Sequence, residues 1–382
     1  GRAAWRMFGS TYLATCAALL LAFDGHHLVH SRTGLLDLIV MFFALGAFCA
    51  LLIDRDRARE RLADVLAGNP TAGDGLGPWL GMRPWRWVAG VSLGLCVGTK
   101  WSGLWFVAAF GLMTVLWDRQ ARGAVGVPHS WAGTLVKDAI PAALTMLGAS
   151  LATYVASWTG WFRSTAGYDR DWALTHPPSS WLDGLVPDAL RSLWAYHEQI
   201  WTFHVSLTSR HDYMSNPWSW IVMGRPTSFY YEGPKLGEQG CLVDTCSAAI
   251  TNMGTLSLWW GAALAIPVLA FCWALRRDWR AGAVLCGLAA GWLPWFLYQE
   301  RTIYTFYAVA FVPWVVLAVT YVLGLVVGPV DATPSRRRRG IAWSGGYVVL
   351  CVAMFVFWWP ILTAQVIPYQ QWQLHMWFPS WV

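Results

Sequence analysis

Charge is what this sequence lacks. Only 13% of its 382 residues are charged against 56% hydrophobic, and the mean hydropathy is +0.41. A soluble domain carries about 25% charged residues, so a water-soluble globule of this size has no polar surface to draw on. The same shortage of charge excludes disorder, because so apolar a chain does not stay solvated and unfolded. Also missing are an internal repeat, a low-complexity tract, and a basic-then-apolar leader with a small-residue cleavage site; the first residue is Gly1, not Met. The sequence is accordingly expected to be a piece of a longer protein. What it has in abundance is tryptophan, 29 residues of it, and indole rings collect where membrane meets water. An integral membrane protein is the class that remains.

The net charge of +6 sits in short bursts between apolar runs, such as Arg276-Arg277 and Arg336-Arg337-Arg338-Arg339. Bursts of that kind anchor a membrane protein on its cytoplasmic side and do not form a nucleic-acid surface. A spanning helix needs about 20 mostly apolar residues. Nine segments approach this: 8–23, 34–53, 87–98, 101–117, 139–157, 256–275, 281–298, 303–327 and 342–362, with 8–23 and 87–98 short. With the N-terminus inside, eighteen of the 27 Lys and Arg fall on the cytoplasmic side and nine outside. The opposite orientation reverses the excess, so N-in/C-out is the expected topology. The expectation is an all-α polytopic membrane protein with one integral membrane domain. Its parts are 1–157, an extracytoplasmic connection 158–254, and 255–382.

Two connections are long. The inner one, 54–86, is charged at its start and Gly/Pro-containing later, with no chemical motif. The outer one, 158–254, is rich in Trp, Tyr, His and Asp. A structureless loop of that length is uncommon, which marks it as a folded or functional element. Within it Leu190, Leu193, Trp194, Ile200, Trp201 and Val205 share one helical face, so 187–207 is expected to lie as an amphipathic helix on the outer membrane surface. Six of the eight cysteines fall in apolar spans and are expected to be small buried hydrophobes. Cys241 and Cys246 lie outside, where an oxidising compartment favours a disulfide over free thiols. No further ligands have the spacing for a metal.

Ionisable groups at span ends are costly and therefore informative. Here they are Asp24, Arg32, Asp37, Lys100, Glu300 and Arg301, all but Asp37 at outer ends. Asp37 lies five residues after Arg32 and is expected to pair with it. The plainer readings are a buried structural pair for Asp37, a snorkelling Lys100, a rim pair for Arg301 with Glu300, and hydrated loop histidines at His26, His27 and His30. The functional reading is collective. Arg32, Lys100 and Arg301 come from three separate loops on one side, and together they form a cationic pocket for an anionic group at the interface. Arg grips phosphate with its planar fork and Lys with its point charge. Phosphate at the membrane edge means a lipid-linked substrate.

Several motifs carry a family likeness. Ala22-Phe23-Asp24-Gly25, Ser31-Arg32, Leu35-Leu36-Asp37 and Met41-Phe42-Phe43 resemble a signature of the protein O-mannosyltransferases. Thr99-Lys100-Trp101-Ser102-Gly103-Leu104-Trp105 is similar to the Lys-containing helix pair of that family. Trp161-Phe162 with Gly167-Tyr168-Asp169-Arg170, Pro217-Trp218-Ser219-Trp220 before Arg225-Pro226, and Arg301-Thr302-Ile303-Tyr304-Thr305-Phe306-Tyr307 extend the resemblance along the chain. The ending Met376-Trp377-Phe378-Pro379-Ser380-Trp381 resembles the actinobacterial members. The likeness implies a GT-C-type glycosyltransferase of about eleven spans, nine of them here. It also implies a polyprenyl- or dolichyl-phosphate-mannose donor, and transfer to Ser or Thr of exported proteins. Family members place a catalytic Asp-Glu pair in the first outer loop. No such outward pair occurs in this sequence, so the base is expected upstream and the isolated piece is expected to be inactive.

The implied reaction inverts the anomeric carbon in one displacement, a carboxylate taking the hydroxyl proton while cations hold the departing phosphate. In that scheme Arg32, Lys100 and Arg301 bind the donor phosphate, Asp37 orients Arg32, and Asp24, His27 and Tyr304 support the pocket. Trp218, Trp220 and Arg225 face the acceptor polypeptide. No metal or other cofactor is expected. Membrane lipids and the secretion translocon are the further partners, and the plasma membrane is the location, with the site extracytoplasmic. Two alternative readings stand beside this one. One is a transferase moving another lipid-linked sugar. The other is a secondary transporter, which the lack of paired repeats disfavours.

Overall fold

The computed structural model describes residues 1–382. Each of the nine apolar segments is helical, and six helices are long and apolar enough to cross a membrane. The first segment is broken: α1 (Arg2–Phe8) ends at Gly9 in the left-handed region, and Ser10 then caps α2 (Thr11–Ala22). A short α3 (Gly25–His30) leads to α4 (Asp37–Gly68), which runs well past its apolar half. The 54–86 connection is thus largely helix. Next come α5 (Pro84–Thr99), α6 (Gly103–Ala124) and α7 (Ser130–Ser157). The outer connection holds α8 (Asp188–Ser206). After it come α9 (Leu256–Arg276), α10 (Trp279–Tyr298), α11 (Thr305–Val327), α12 (Pro334–Leu362) and the short α13 (Tyr369–His375).

The expectation of a purely helical chain needs correction. Strands β1 (Thr227–Glu232), β2 (Cys246–Asn252) and β3 (Ile367–Pro368) form a small antiparallel sheet in the order β1-β2-β3. The aromatic and β-branched residues of β1 and β2 suit a pleated, half-buried surface, and Pro368 sits on an edge strand where no ladder N–H is missed. Cys241 and Cys246 are joined by a disulfide in the turn between β1 and β2.

One core of 67 buried apolar residues unites the helices around α11, whose residues Val312 to Val319 are all buried. Trp314 is its centre, with ring centroids 5.4 to 5.9 Å from Phe106, Phe48 and Phe110. Close helix approach comes from α5. Added Cβ atoms at Gly90 and Gly94 would meet the Met146 and Ser150 carbonyls of α7 at 2.7 and 2.6 Å. This is the small-residue packing by which helices associate without a hydrophobic driving force.

At the end of α5 opposite Lys100 lies a buried ion network, half of whose members come from the 54–86 connection. Arg83 binds Asp54 at 2.5 Å and Asp118 at 2.8 Å, Arg86 also binds Asp118, and Arg122 Nε donates to Asp138 at 2.6 Å. Three carboxylates balance three guanidinium groups, so four segments are tied without residual charge. Removing one partner from such a set leaves an uncompensated buried charge, at a cost of about 3 kcal/mol or more. Asp118→Ala is therefore expected to lower unfolding stability in detergent by about that amount. Asp188→Ala, which loses only a solvent-exposed pair with Arg191 that Asp183 still holds, is expected to change it by less than about 1 kcal/mol. Equal losses would contradict a stabilising role for the network.

Candidate functional site

Lys100 lies in an extended conformation between α5 and α6. The turn closes by the Gly103 N–H donating to the Lys100 carbonyl at 2.9 Å. A Cβ at Gly103 would sit 2.8 Å from the backbone of Cys96 and Val97, so only glycine permits this hairpin. Lys100 Nζ is 2.7 Å from Asp37 Oδ1 and 4.1 Å from the centroid of the Tyr307 ring. Asp37 is buried in the first turn of α4, where the helix dipole favours a carboxylate. Tyr307 in turn stacks on Trp295 at 4.5 Å, and the Arg301 guanidinium carbon lies 6.0 Å from the Trp295 centroid. The ammonium and guanidinium thus share one aromatic wall.

These groups line a cavity of about 650 Å³. Lys100 and Arg301 make it cationic on one side, with His204 beside them, while Trp101, Trp105, Trp158, Trp201 and Phe106 are among its apolar walls. Arg301 has no acidic partner; its Nη2 lies 3.5 Å from His204 Nδ1. Helix α8 covers one side of the cavity with Ile200, Trp201, His204 and Val205. A hydrogen-bonded chain holds it there. Trp101 Nε1 donates to the Tyr154 hydroxyl at 3.0 Å, which donates to His197 Nε2 at 2.5 Å, and His197 Nδ1 donates to the Leu193 carbonyl at 2.7 Å.

Lys100, Arg301 and Asp37 therefore come together as the sequence suggested, and other groups do not. Asp37 pairs with Lys100, not with Arg32. The hydroxyls of Ser31 and Thr33 bond back to the carbonyls of Leu28 and His30, and Arg32 in the resulting turn is exposed and outside the cavity lining. The three-cation pocket is thus reduced to two. Asp24 is fully buried and accepts from the N–H groups of His27 and Thr255 and from Trp259 Nε1, each at 3.0 Å. It joins α3 to α9 and does not reach the pocket. His27 is half-buried and absent from the lining; Tyr304 stacks on Phe306, one turn before the residue that does meet Lys100.

On the acceptor side, Trp218 is 70% exposed, but Trp220 is completely buried, its Nε1 donating to Ser215. An alternating Trp-Ser-Trp run in a tight helical turn puts its two indoles on different faces, one of them in the core. Arg225 is occupied by the carbonyls of Asp212, Ser380 and Val382, which fastens the last residues to the outer region. The loop histidines are not all hydrated. His26 and His30 are buried with ring centroids 5.1 Å apart, and His30 Nε2 accepts from the Asn252 amide at 2.8 Å. Sequence reasoning missed His204, Trp295 and Tyr307. The signal for His204 was present, since it follows Ile200 by four residues and so shares the apolar face of α8.

The architecture defines a class: a polytopic helical protein whose charged site opens beside an aromatic cavity at one end of the bundle. Its fold matches that of a chain in the Saccharomyces cerevisiae protein O-mannosyltransferase Pmt1–Pmt2 complex bound to the sugar donor. The TM-score is 0.72 at 14% identity, over 98% of this chain and 77% of that one. Residues 189–381 match the family model described as the C-terminal four TMM region of protein-O-mannosyltransferase. The polyprenol-phosphate-mannose–protein mannosyltransferase of Mycolicibacterium smegmatis strain MKD8 is 40% identical over 390 residues, covering 100% of this chain and 74% of that protein. The enzyme of the same description from Mycobacterium tuberculosis H37Rv is 38% identical, covering 98% of this chain and 72% of its own length. The chain belongs to the protein O-mannosyltransferase family.

Two measurements check these placements. Trp220→Ala is expected to cost about 3–5 kcal/mol of stability as a core truncation. Trp218→Ala is expected to stay within about 0.5 kcal/mol. Burial holds the His30 imidazole down at about 4. The unfolded chain binds that proton near the ordinary value of about 6.5, so folding stability falls as pH drops from there to about 4 and levels off below. Denaturation curves across this window should slope less in His30→Gln than in the wild type; identical slopes would contradict the assignment.

Proposed function

We propose that the protein transfers mannose from a polyprenyl-phosphate-mannose donor to Ser or Thr hydroxyls of exported proteins, with inversion at the anomeric carbon. The observation that carries this reading is the cavity, which sets two cations against a mostly apolar, Trp-rich lining. A prenyl phosphate has the same division, an anionic head on an apolar chain. The relatives named above are described as mannosyltransferases using this donor, and the yeast neighbour was seen with a sugar donor bound.

Lys100 and Arg301 hold the donor phosphate. As the C1–O bond to phosphate breaks, the leaving oxygens gain charge, and fixed cations in a water-poor cavity stabilise that charge without reorganising. Asp37 positions Lys100, and Tyr307 limits its sweep. The hydroxyl proton goes to a carboxylate of the Asp-Glu pair that the family likeness implies outside this chain. Trp218 and its exposed aromatic surroundings serve the acceptor, with Trp220 as their buried support. Nine spans in an N-in/C-out arrangement put Lys100 and Arg301 at the outer membrane face, and the buried ion network at the inner one. The protein then works at the plasma membrane, on polypeptides leaving the translocon.

Arg301→Ala tests the assignment most cleanly, because Arg301 carries no ion pair and its removal leaves no buried carboxylate unpaired. In the complete enzyme this variant and Lys100→Ala should each lower kcat/KM for mannosyl transfer to a peptide at least about tenfold, roughly 1.4 kcal/mol. Wild-type rates in both would remove phosphate binding from this cavity.

A further inference from the structure

The cavity holds a third polar group that the charge count leaves aside. His204 is exposed on α8 and lines the cavity with Lys100 and Arg301. Its Nδ1 faces an Arg301 N–H at 3.5 Å and can only accept from it, which leaves the proton of the neutral ring on Nε2. That donor has no protein partner. The other ionisable groups around the cavity are Asp37 at the start of α4, Tyr154 on α7, Tyr298 at the end of α10 and Tyr307 on α11. Asp37 is engaged by Lys100, and Tyr154 by His197 on the helix of His204 itself. No carboxylate is therefore free to offset a charge on His204, whereas an anion in the cavity would be.

The two lipid phosphates of the proposed reaction differ in charge. The donor is a phosphodiester with one negative charge. When the mannose C1–O(phosphate) bond breaks, its electron pair stays on the phosphate oxygen, the C1–O bond to Ser or Thr forms, and the hydroxyl proton passes to the base. The spent carrier is a monoester, about −1.5 to −2 near neutral pH with a second pKa near 6. Resting on the donor-site reading above, we propose that His204 is a third phosphate ligand and tells spent carrier from donor. It donates as a neutral ring to the diester and takes up a proton from water when the monoester dianion forms. Burial together with the Arg301 and Lys100 charges lowers the His204 pKa in the empty cavity. The dianion reverses the sign of that local field, so protonation follows the phosphate. The consequence is that release of spent carrier depends on pH while donor binding scarcely does. Release should slow as the medium is acidified through the range in which the complexed ring titrates.

Calorimetry on the complete enzyme in detergent tests this with farnesyl phosphate as monoester and farnesyl methyl phosphate as diester, at pH 7 in two buffers of different ionisation enthalpy. The wild type should take up more protons with the monoester than His204→Gln or His204→Asn does, by a sizeable fraction of one proton per site. The diester should show no such difference. The monoester-over-diester preference should also fall several-fold in both variants. Equal proton uptake in wild type and variants, with binding still weakened by Arg301→Gln, would overturn the role of His204 and leave the donor site standing. If neither probe binds, or if Arg301→Gln and Lys100→Gln leave affinity unchanged, the donor-site reading itself fails and the inference with it.

Discussion

The ion pair between Lys100 and Asp37 sets the chemistry of this molecule. A lone ammonium beside an apolar cavity would shed its proton or withdraw to water, and a lone buried carboxylate would be neutralised. Here the two are paired at 2.7 Å, and the Tyr307 face takes up another side of the ammonium. The arrangement depends on a hairpin that only Gly103 allows, and on α5 packing closely against α7 through Gly90 and Gly94. Small residues far from any ligand thereby decide where one charge sits. Arg301, by contrast, has no acidic partner; it is half-exposed and lies against the Trp295 ring, with its buried Nε left without a hydrogen bond.

The two ends of α5 show two uses of charge. Opposite Lys100, three carboxylates and three guanidinium groups cancel in a closed network with almost no solvent contact. Around Lys100 cancellation is incomplete: two cations meet one carboxylate, and an apolar space of about 650 Å³ adjoins them. Balanced charge fastens helices; unbalanced charge beside a cavity attracts an anion. The same residue types thus close a charge balance at one end and leave it open beside a cavity at the other.

Much of this was readable from residues in order. Apolar runs located the nine helical segments, because burial and spanning both demand them. Lys100, Arg301 and Asp37 were conspicuous, because charge in such a setting needs a reason. What the sequence could not show was which charges meet. Arg32 is nearer to Asp37 along the chain than Lys100 is, yet backbone turning after α3 leaves it in solvent while a turn 63 residues later delivers the partner. Trp220 was misread because an indole in an outer loop looks like a contact surface, and only packing reveals a core position. The small sheet escaped notice for a similar reason: six-residue strands are weak signals beside spans of twenty. The buried ion network was hidden because its members are scattered over four segments, none forming a motif alone.

The proposed mechanism stands or falls on a lipid phosphate held between Lys100 and Arg301. A structure of the complete enzyme with polyprenyl phosphate bound measures it directly. Phosphate oxygens are expected within about 3 Å of both the Lys100 ammonium and the Arg301 guanidinium, with the first isoprene units against Trp101, Trp105 and Trp201. A phosphate seated elsewhere, with the two cations facing only water and protein, would contradict it.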